Sequence, residues 1–291
     1  MTDAFSQQGA SAPAISHAYV RKPGAQFGLE HIGVGIPDPD RALYQHDAYC
    51  RALIGCGVDV RALRHDPQFP DSCFINDVAV VTPSLAVIAN FGERHARQGE
   101  QQLAASLLAG SRILKSITSP GTLDASDVAR VGDHFIIGLS ARTNQEGAAQ
   151  LAYFLTEYGY QASVVDFGDG TTRLGTSVCD LGMDAHGNHR ILLREDLSRH
   201  FAFIAYEKMT VGWDMRAALD SLMVNGTLLV PHGFAEVRSG LQAQGITVQE
   251  VNVSEFMKTG LGLSSLSLRL PARPHADSVI SLTAARQRRV A

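Results

Sequence analysis

Residues 128–167 read VARVGDHFIIGLSARTNQEGAAQLAYFLTEYGYQASVVDF. Two short apolar runs, Val128–Val131 and Phe135–Ile137, flank a Gly-Asp pair, the pattern of a tight hairpin. A polar loop follows, and then Ala148, Leu151, Ala152 and Leu155 recur at the spacing of one helix face. A glycine-containing turn leads into a further β-branched run. The unit is therefore strand, turn, strand, loop, helix, turn, strand.

The same grammar returns along the chain. In DSLMVNGTLLVPHGFAEVRSGLQAQGITVQEVNV, residues 220–253, Asn225-Gly226 marks a two-residue hairpin, and a helix from about Ala235 to Gln244 stops at Gly245. A third copy spans 73–110 with a Thr-Pro-Ser turn at 82–84, and a degenerate fourth covers TSVCDLGMDAHGNHRILL, residues 176–193. The helix DRALYQHDAYCRALIGCG, residues 40–57, followed by the strand VDVRALR, residues 58–64, suggests a fifth. A three-stranded sheet and one helix cannot close a core alone, so five such units of about 50 residues must pack around a shared axis. The expected fold is a five-bladed α/β propeller. Hairpins inside each unit argue against the alternative, a doubly wound sheet with parallel strands throughout.

Composition narrows the function. With 291 residues, 45% hydrophobic and 19% charged, the chain reads as an ordinary globular protein. A net charge of -4 with scattered Lys and Arg leaves no footprint for nucleic acid or an anionic membrane, so a small-molecule partner is expected. No apolar run reaches the roughly 18–20 residues of a membrane span, and the polar N-terminus lacks a signal-peptide core, which points to the cytoplasm. The four cysteines show no metal-binding spacing and read as buried thiols. His186 and His189 flank a Gly-Asn turn and read as a solvated hairpin tip; HIGVGI, residues 31–36, lacks the third glycine of a dinucleotide loop. No metal and no cofactor is expected.

In TGLGLSSLSLRL, residues 259–270, two serines follow a glycine-rich turn and enter an alternating strand, a place where a nucleophile could be displayed. This segment, with FPDSCFIND at 69–77 and SPGTLDASDVARVGDHFIIGLSARTNQEGAAQL at 119–151, resembles the dimethylarginine dimethylaminohydrolase family of the guanidino-group-modifying (pentein) superfamily. The resemblance runs from about His31 to Leu270. It implies a polar N-terminal extension over 1–30, a single propeller domain over 31–270 and a tail over 271–291.

The resemblance also implies a chemistry and its residues. Family enzymes attack a guanidinium carbon with a cysteine thiolate, and a histidine oriented by an acid moves the protons; a thiolate is needed because the guanidinium is a poor electrophile. Ser265 falls where the family has cysteine, and Arg173 in RLGTSV falls where it has histidine. Asp124 in GTLDASD matches the orienting acid. For substrate holding, Asp71, Phe74 and Asp77 match the family word, Asn76 replaces the acid that would grip the guanidinium, and Arg142 and Arg97 match arginines for a substrate carboxylate. Family members are often homodimers.

Three coordinated departures favour a natural, degenerate or repurposed site that binds an arginine-like or anionic amino-acid derivative, with Asp124 tethering Arg173. The alternative is an active C–N hydrolase or related biosynthetic enzyme using Ser265 with Asp124 or Asp77 as base. Cys73, expected on a strand and turned from the site, and Cys179 do not replace the missing thiol. Trp213 could cover a ligand or fill the rim.

Overall fold

The computed structural model describes residues 13–28, 35–92, 97–168 and 173–273. Strand β1 (Ile15–Arg21) is followed by helix α1 (Pro39–Gly55) and β2 (Asp59–Leu63). Next come β3 (Ala79–Val81), β4 (Leu85–Ile88), α2 (Gln101–Leu108) and β5 (Ile113–Ser116). The stretch quoted first becomes β6 (Val128–Val131), β7 (His134–Leu139), α3 (Gln145–Glu157) and β8 (Gln161–Asp166). The remainder forms β9 (Val178–Met183), β10 (His189–Arg194), β11 (Glu207–Val211), β12 (Leu222–Val224), β13 (Thr227–Pro231), α4 (Ala235–Ala243), β14 (Thr247–Val251), α5 (Ser254–Met257) and β15 (Ser267–Pro271).

These strands make five three-stranded sheets, ordered β15-β1-β2, β3-β4-β5, β6-β7-β8, β9-β10-β11 and β12-β13-β14. In each, the central strand runs antiparallel to its first neighbour and parallel to its last. The α/β propeller expected from the repeats is the observed architecture. Apolar residues of adjacent sheets and helices fill the space between blades: Leu151 and Leu155 of α3 share a cluster with Val87 of β4 and Ile137 of β7. At roughly 25 cal/mol per Å² of apolar surface, such inter-blade burial is what holds units that cannot stand alone.

Local signals explain the turns. Asn225 has φ 49° and Gly226 φ 87°, the left-handed pair that a two-residue hairpin requires. The Asn225 amide also donates to the carbonyls of Ile15 and Cys56, and its Oδ1 accepts from the Ile15 N–H, stitching the last blade to the first.

Three expectations need correction. The domain does not begin at His31, because β1 is the central strand of its sheet and Phe27 is fully buried. The strand was hidden because one of its two partners, β15, lies at the other end of the chain. Likewise Pro271 pairs with Ile15 and the Ala272 N–H donates to Ala14, so the domain extends past Leu270. Finally, the fourth unit has no α-helix between β10 and β11; two 3-10 turns, Glu195–Leu197 and Phe201–Phe203, take its place. Residues 1–12, 31–34 and 274–291, on which parts of the extension, HIGVGI and tail readings fall, lie outside the described residues. No helix among those described is long and apolar enough to cross a membrane.

Candidate active site

Each sheet contributes one edge strand to the axis, and these inner strands are β3, β6, β9, β12 and β15. Four of the residues singled out from sequence sit just before them. Asp77 precedes β3, Asp124 precedes β6, Arg173 precedes β9, and Ser265 precedes β15, and Asp127 lies beside Asp124 ahead of β6. Repetition thus delivers residues from distant parts of the chain to one end of the propeller.

Ser265 is 1% exposed, its N–H donates to Gly262 and its carbonyl accepts from the Asn76 N–H at 3.0 Å. Among the described residues, no carboxylate or imidazole hydrogen-bonds to its hydroxyl. Asp124 Oδ1 caps the turn that follows by accepting from the Ser126 N–H at 2.8 Å, and its Oδ2 stands 3.9 Å from Arg142 Nε. Arg173 Nη1 donates to Ser126 Oγ at 3.3 Å. The expected direct tether between Asp124 and Arg173 is therefore replaced by a relay through Ser126, because the Asp124 carboxylate is committed to a backbone amide and to Arg142.

Asp77 is wholly buried and binds Arg97 Nη1 at 2.9 Å, while its Oδ1 lacks a described partner. Burial first, and then the neighbouring Asp124 charge, push Asp77 up to about 7 against the pull of Arg97 and Arg173. Arg97 is also gripped by both Glu100 oxygens at 2.9 Å and by the Phe74 carbonyl at 3.0 Å, and lies over the Phe91 ring. Arg142 Nη2 donates to Asp127 Oδ1 at 2.5 Å, and Asp127 Oδ2 accepts from Ser140 and Thr143. Burial pushes Asp127 above the usual carboxylate range despite the Arg142 charge.

Two substrate-holding assignments are redirected. Asn76 Oδ1 accepts from Arg269 Nη2 at 3.0 Å, so its side chain serves the inner wall. The Phe74 ring packs edge-on against Phe27 and Phe256 in the core, and only its carbonyl reaches the arginine cluster. Asp71 accepts from the Gly28 N–H at 3.4 Å. Cys73 lies in a turn, not a strand, yet it is buried; burial raises its thiol and that of Cys179 well above the ordinary range, so neither supplies a thiolate. His186 lies at the exposed tip of the β9–β10 hairpin. Trp213, 61% exposed, is flanked by the guanidinium groups of Arg194 and Arg216 at 5.1 and 4.7 Å from its ring.

Sequence reading missed Asp220. It lies two residues before β12, as Asp77 does before β3 and Ser265 before β15, and that shared position in the repeat could have exposed it. Asp220 Oδ1 accepts from the Ser264 N–H at 2.8 Å, and burial pushes its carboxyl up to about 6. The electrostatic picture is one of interleaved charges: among the described residues, the carboxylates of Asp77, Glu100, Asp124 and Asp127 stand with the guanidinium groups of Arg97, Arg142 and Arg173.

Comparison with known proteins assigns this arrangement. The chain is 34% identical over 261 residues, 88% of its own length and 99% of the relative's, to the N(G),N(G)-dimethylarginine dimethylaminohydrolase of Pseudomonas aeruginosa. It belongs to the dimethylarginine dimethylaminohydrolase family. This is a hydrolase family acting on amidino and guanidino groups, and membership leaves both the ligand and the activity of this chain open. A human member, named putative hydrolase DDAH2, is 27% identical over 289 residues, covering 90% of this chain and 96% of the relative. Among solved dimethylarginine dimethylaminohydrolase structures, a cysteine-to-serine variant of the Pseudomonas aeruginosa protein complexed with citrulline superposes with TM-score 0.79 at 32% identity, covering 88% of this chain and all of the other. The arginine dihydrolase ArgZ, at 17% identity and TM-score 0.74, shares the fold. No family model matches the chain.

Proposed function

We propose that this protein is a repurposed dimethylarginine dimethylaminohydrolase relative that binds a small amino-acid-like ligand and does not turn over dimethylarginine by cysteine chemistry. The observation that carries the reading is the pairing of Ser265, whose hydroxyl has no base among the described residues, with Arg173, a permanent cation at the position the resemblance gives to histidine. An alkoxide is inaccessible near neutral pH without a base, and a guanidinium cannot act as one.

Charge selects the ligand. Arg173 disfavours a second guanidinium beside Ser265, while the carboxylates around Arg97 and Arg142 disfavour a plain anion. A zwitterionic amino acid with an uncharged polar head, such as citrulline, satisfies both. The citrulline complex of the cysteine-to-serine Pseudomonas aeruginosa variant supports the idea that a serine at the nucleophile position is compatible with holding that ligand.

One observation favours the second reading, a hydrolase using Ser265. Asp77, pushed up to about 7 with one oxygen unpartnered among the described residues, has the proton affinity of a general base at neutral pH. A proton NMR time course with citrulline and with asymmetric dimethylarginine separates the two. Line broadening of citrulline with no dimethylamine signal is expected. Release of dimethylamine, abolished by Ser265→Ala, would overturn the binding reading in favour of serine chemistry.

A further inference from the structure

The sheet assembled from both ends of the chain packs against its neighbour β3-β4-β5, where Leu268 and Leu270 of β15 share an apolar cluster with Ala79 of β3 and Ala86 of β4. On this seam lies a depression of about 320 Å³. Among the residues lining it are His17 and Tyr19 of β1, Arg61 of β2, Ser111 and Arg112 just before β5, and Arg273 just after β15. None of them belongs to the Ser265 cluster.

Arg112 is half-buried, and its described hydrogen bonds all go to neutral carbonyls: Nε to Thr82 at 2.9 Å, Nη1 to Ser111 at 2.8 Å and Nη2 to Pro271 at 2.6 Å. Arg273 Nη2 donates to the carbonyl of Gly110 and to that of the same Ser111. Two guanidinium groups therefore crowd one carbonyl oxygen. Among the described residues, no carboxylate pairs with either of them. Burial first, and then the charge of Arg273, lower the Arg112 pKa, as expected of a cation set against another cation. Arg61 brings a third guanidinium, but Asp59 engages it at 3.2 and 3.3 Å and stands 3.4 Å from His17 Nε2, so that carboxylate is already occupied.

Like charges held this close repel, and the contacts around them are with neutral oxygens only. Donors remain to be used. A guanidinium carries five N–H groups, so each terminal nitrogen of Arg112 keeps one N–H, and Nε and Nη1 of Arg273 keep theirs.

We propose that this seam is an oxyanion site for a phosphate group, free or carried on a small ester, held between Arg112 and Arg273. Two cations are matched by a dianion, and two guanidinium forks from separate segments take more acceptor oxygens than one carboxylate offers. Bound phosphate removes the repulsion and clasps the residues after β15 to the start of β5, so occupancy stabilises the closure of the ring. The site is independent of what the Ser265 cluster binds.

The test uses the full chain at slightly alkaline pH and low salt, with inorganic phosphate, glycerol 2-phosphate and acetate as probes. Calorimetry gives affinity, and melting temperature is compared at matched ionic strength. Phosphate is expected to bind with Kd on the order of 1 mM or below, and acetate about tenfold or more weaker. An ester that binds as tightly as the free ion, or more tightly, assigns the site to a phosphorylated small molecule; a weaker one assigns it to the free ion. Arg273→Gln, at an exposed position, should weaken phosphate about tenfold, the worth of a charge-assisted hydrogen bond. Arg216→Gln, which removes an exposed guanidinium between β11 and β12, should leave binding unchanged. Absence of phosphate binding, acetate as tight as phosphate, a melting shift reproduced by sodium chloride, or equal losses in the two variants would each overturn the proposal. Arg112→Gln should weaken phosphate as well; if it does not fold, Arg273→Gln decides alone.

Discussion

At the scale of single residues, the proposed reading turns on Ser265, whose hydroxyl has no hydrogen-bonded carboxylate or imidazole among the described residues, and on Arg173, which does not deprotonate near neutral pH. On the proposed reading, restoring a thiol and an imidazole together should restore turnover, whereas either alone should not. Ser265→Cys with Arg173→His is expected to release dimethylamine from asymmetric dimethylarginine, with each single variant slower by about a hundredfold or more, the usual worth of a positioned base. A colorimetric citrulline assay checks it. Asp220 gives a second prediction, independent of function. Its carboxyl is pushed up to about 6 by burial, so the folded state binds its proton more tightly than the unfolded chain does. Its stabilising contribution is therefore complete below the unfolded value near 4 and is lost as pH rises through about 6, a loss of about 3 kcal/mol by pH 8. Asp220→Asn, which cannot ionise, should gain melting temperature relative to wild type between pH 5 and pH 8. A constant difference would show that the carboxyl is not held in this way.

At the scale of elements, helices are fixed by caps and by close backbone approaches. Asn144 caps α3 by accepting from the Gly147 N–H at 2.8 Å, and the same oxygen accepts from Thr122 N at 2.9 Å, tying the helix to the loop that leads to Asp124. A Cβ at Gly147 would run into the Thr122 carbonyl. Gly147→Ala is therefore expected to destabilise the protein by about 2 kcal/mol despite the better helix propensity of alanine, as urea unfolding would show. Helix α1 carries a different constraint. His46 on its inner face is fully buried, its Nε2 has no described partner, and burial lowers its pKa to about 4. The unfolded chain takes up this proton near pH 6.5 and the folded protein only near 4, so stability is lost as pH falls through that window. At pH 5 the loss is about 2 kcal/mol. His46→Leu should flatten the acid limb of the stability curve, measured by melting temperature between pH 7.5 and pH 5.

At the scale of the whole molecule, the ring is closed by the two ends of the chain. β1 pairs antiparallel with β15 and parallel with β2, so one sheet is assembled from residues 15–21, 59–63 and 267–271. A propeller lacking one central strand loses both its ladders and leaves two strands unpaired. Deletion of residues 1–21 is expected to abolish the cooperative unfolding transition in differential scanning calorimetry, whereas a mere extension would be removable without effect. The same closure explains why the Ser265 cluster lies on the axis: the residues just before the five inner strands, Asp77, Asp124, Arg173, Asp220 and Ser265, gather at one end.

How much was legible follows from where each signal resides. The repeat grammar, the Asn225-Gly226 hairpin, the helices read over 40–57 and about 235–244 and the family words around Asp77, Asp124 and Ser265 are local, because turn chemistry and periodicity act over a few residues. They sufficed for the propeller and for most of the cluster. Only the tertiary structure decided that Ile15–Arg21 is a core strand, that Asn76 turns to Arg269, that Ser126 stands between Asp124 and Arg173, and that Asp220 joins the ring. It also brought carboxylates and guanidinium groups together, because charge balance depends on which side chains are buried together, and no span of sequence records that 77, 97, 100, 124 and 173 are neighbours. Local physics chose the blades; their packing around an axis chose the site.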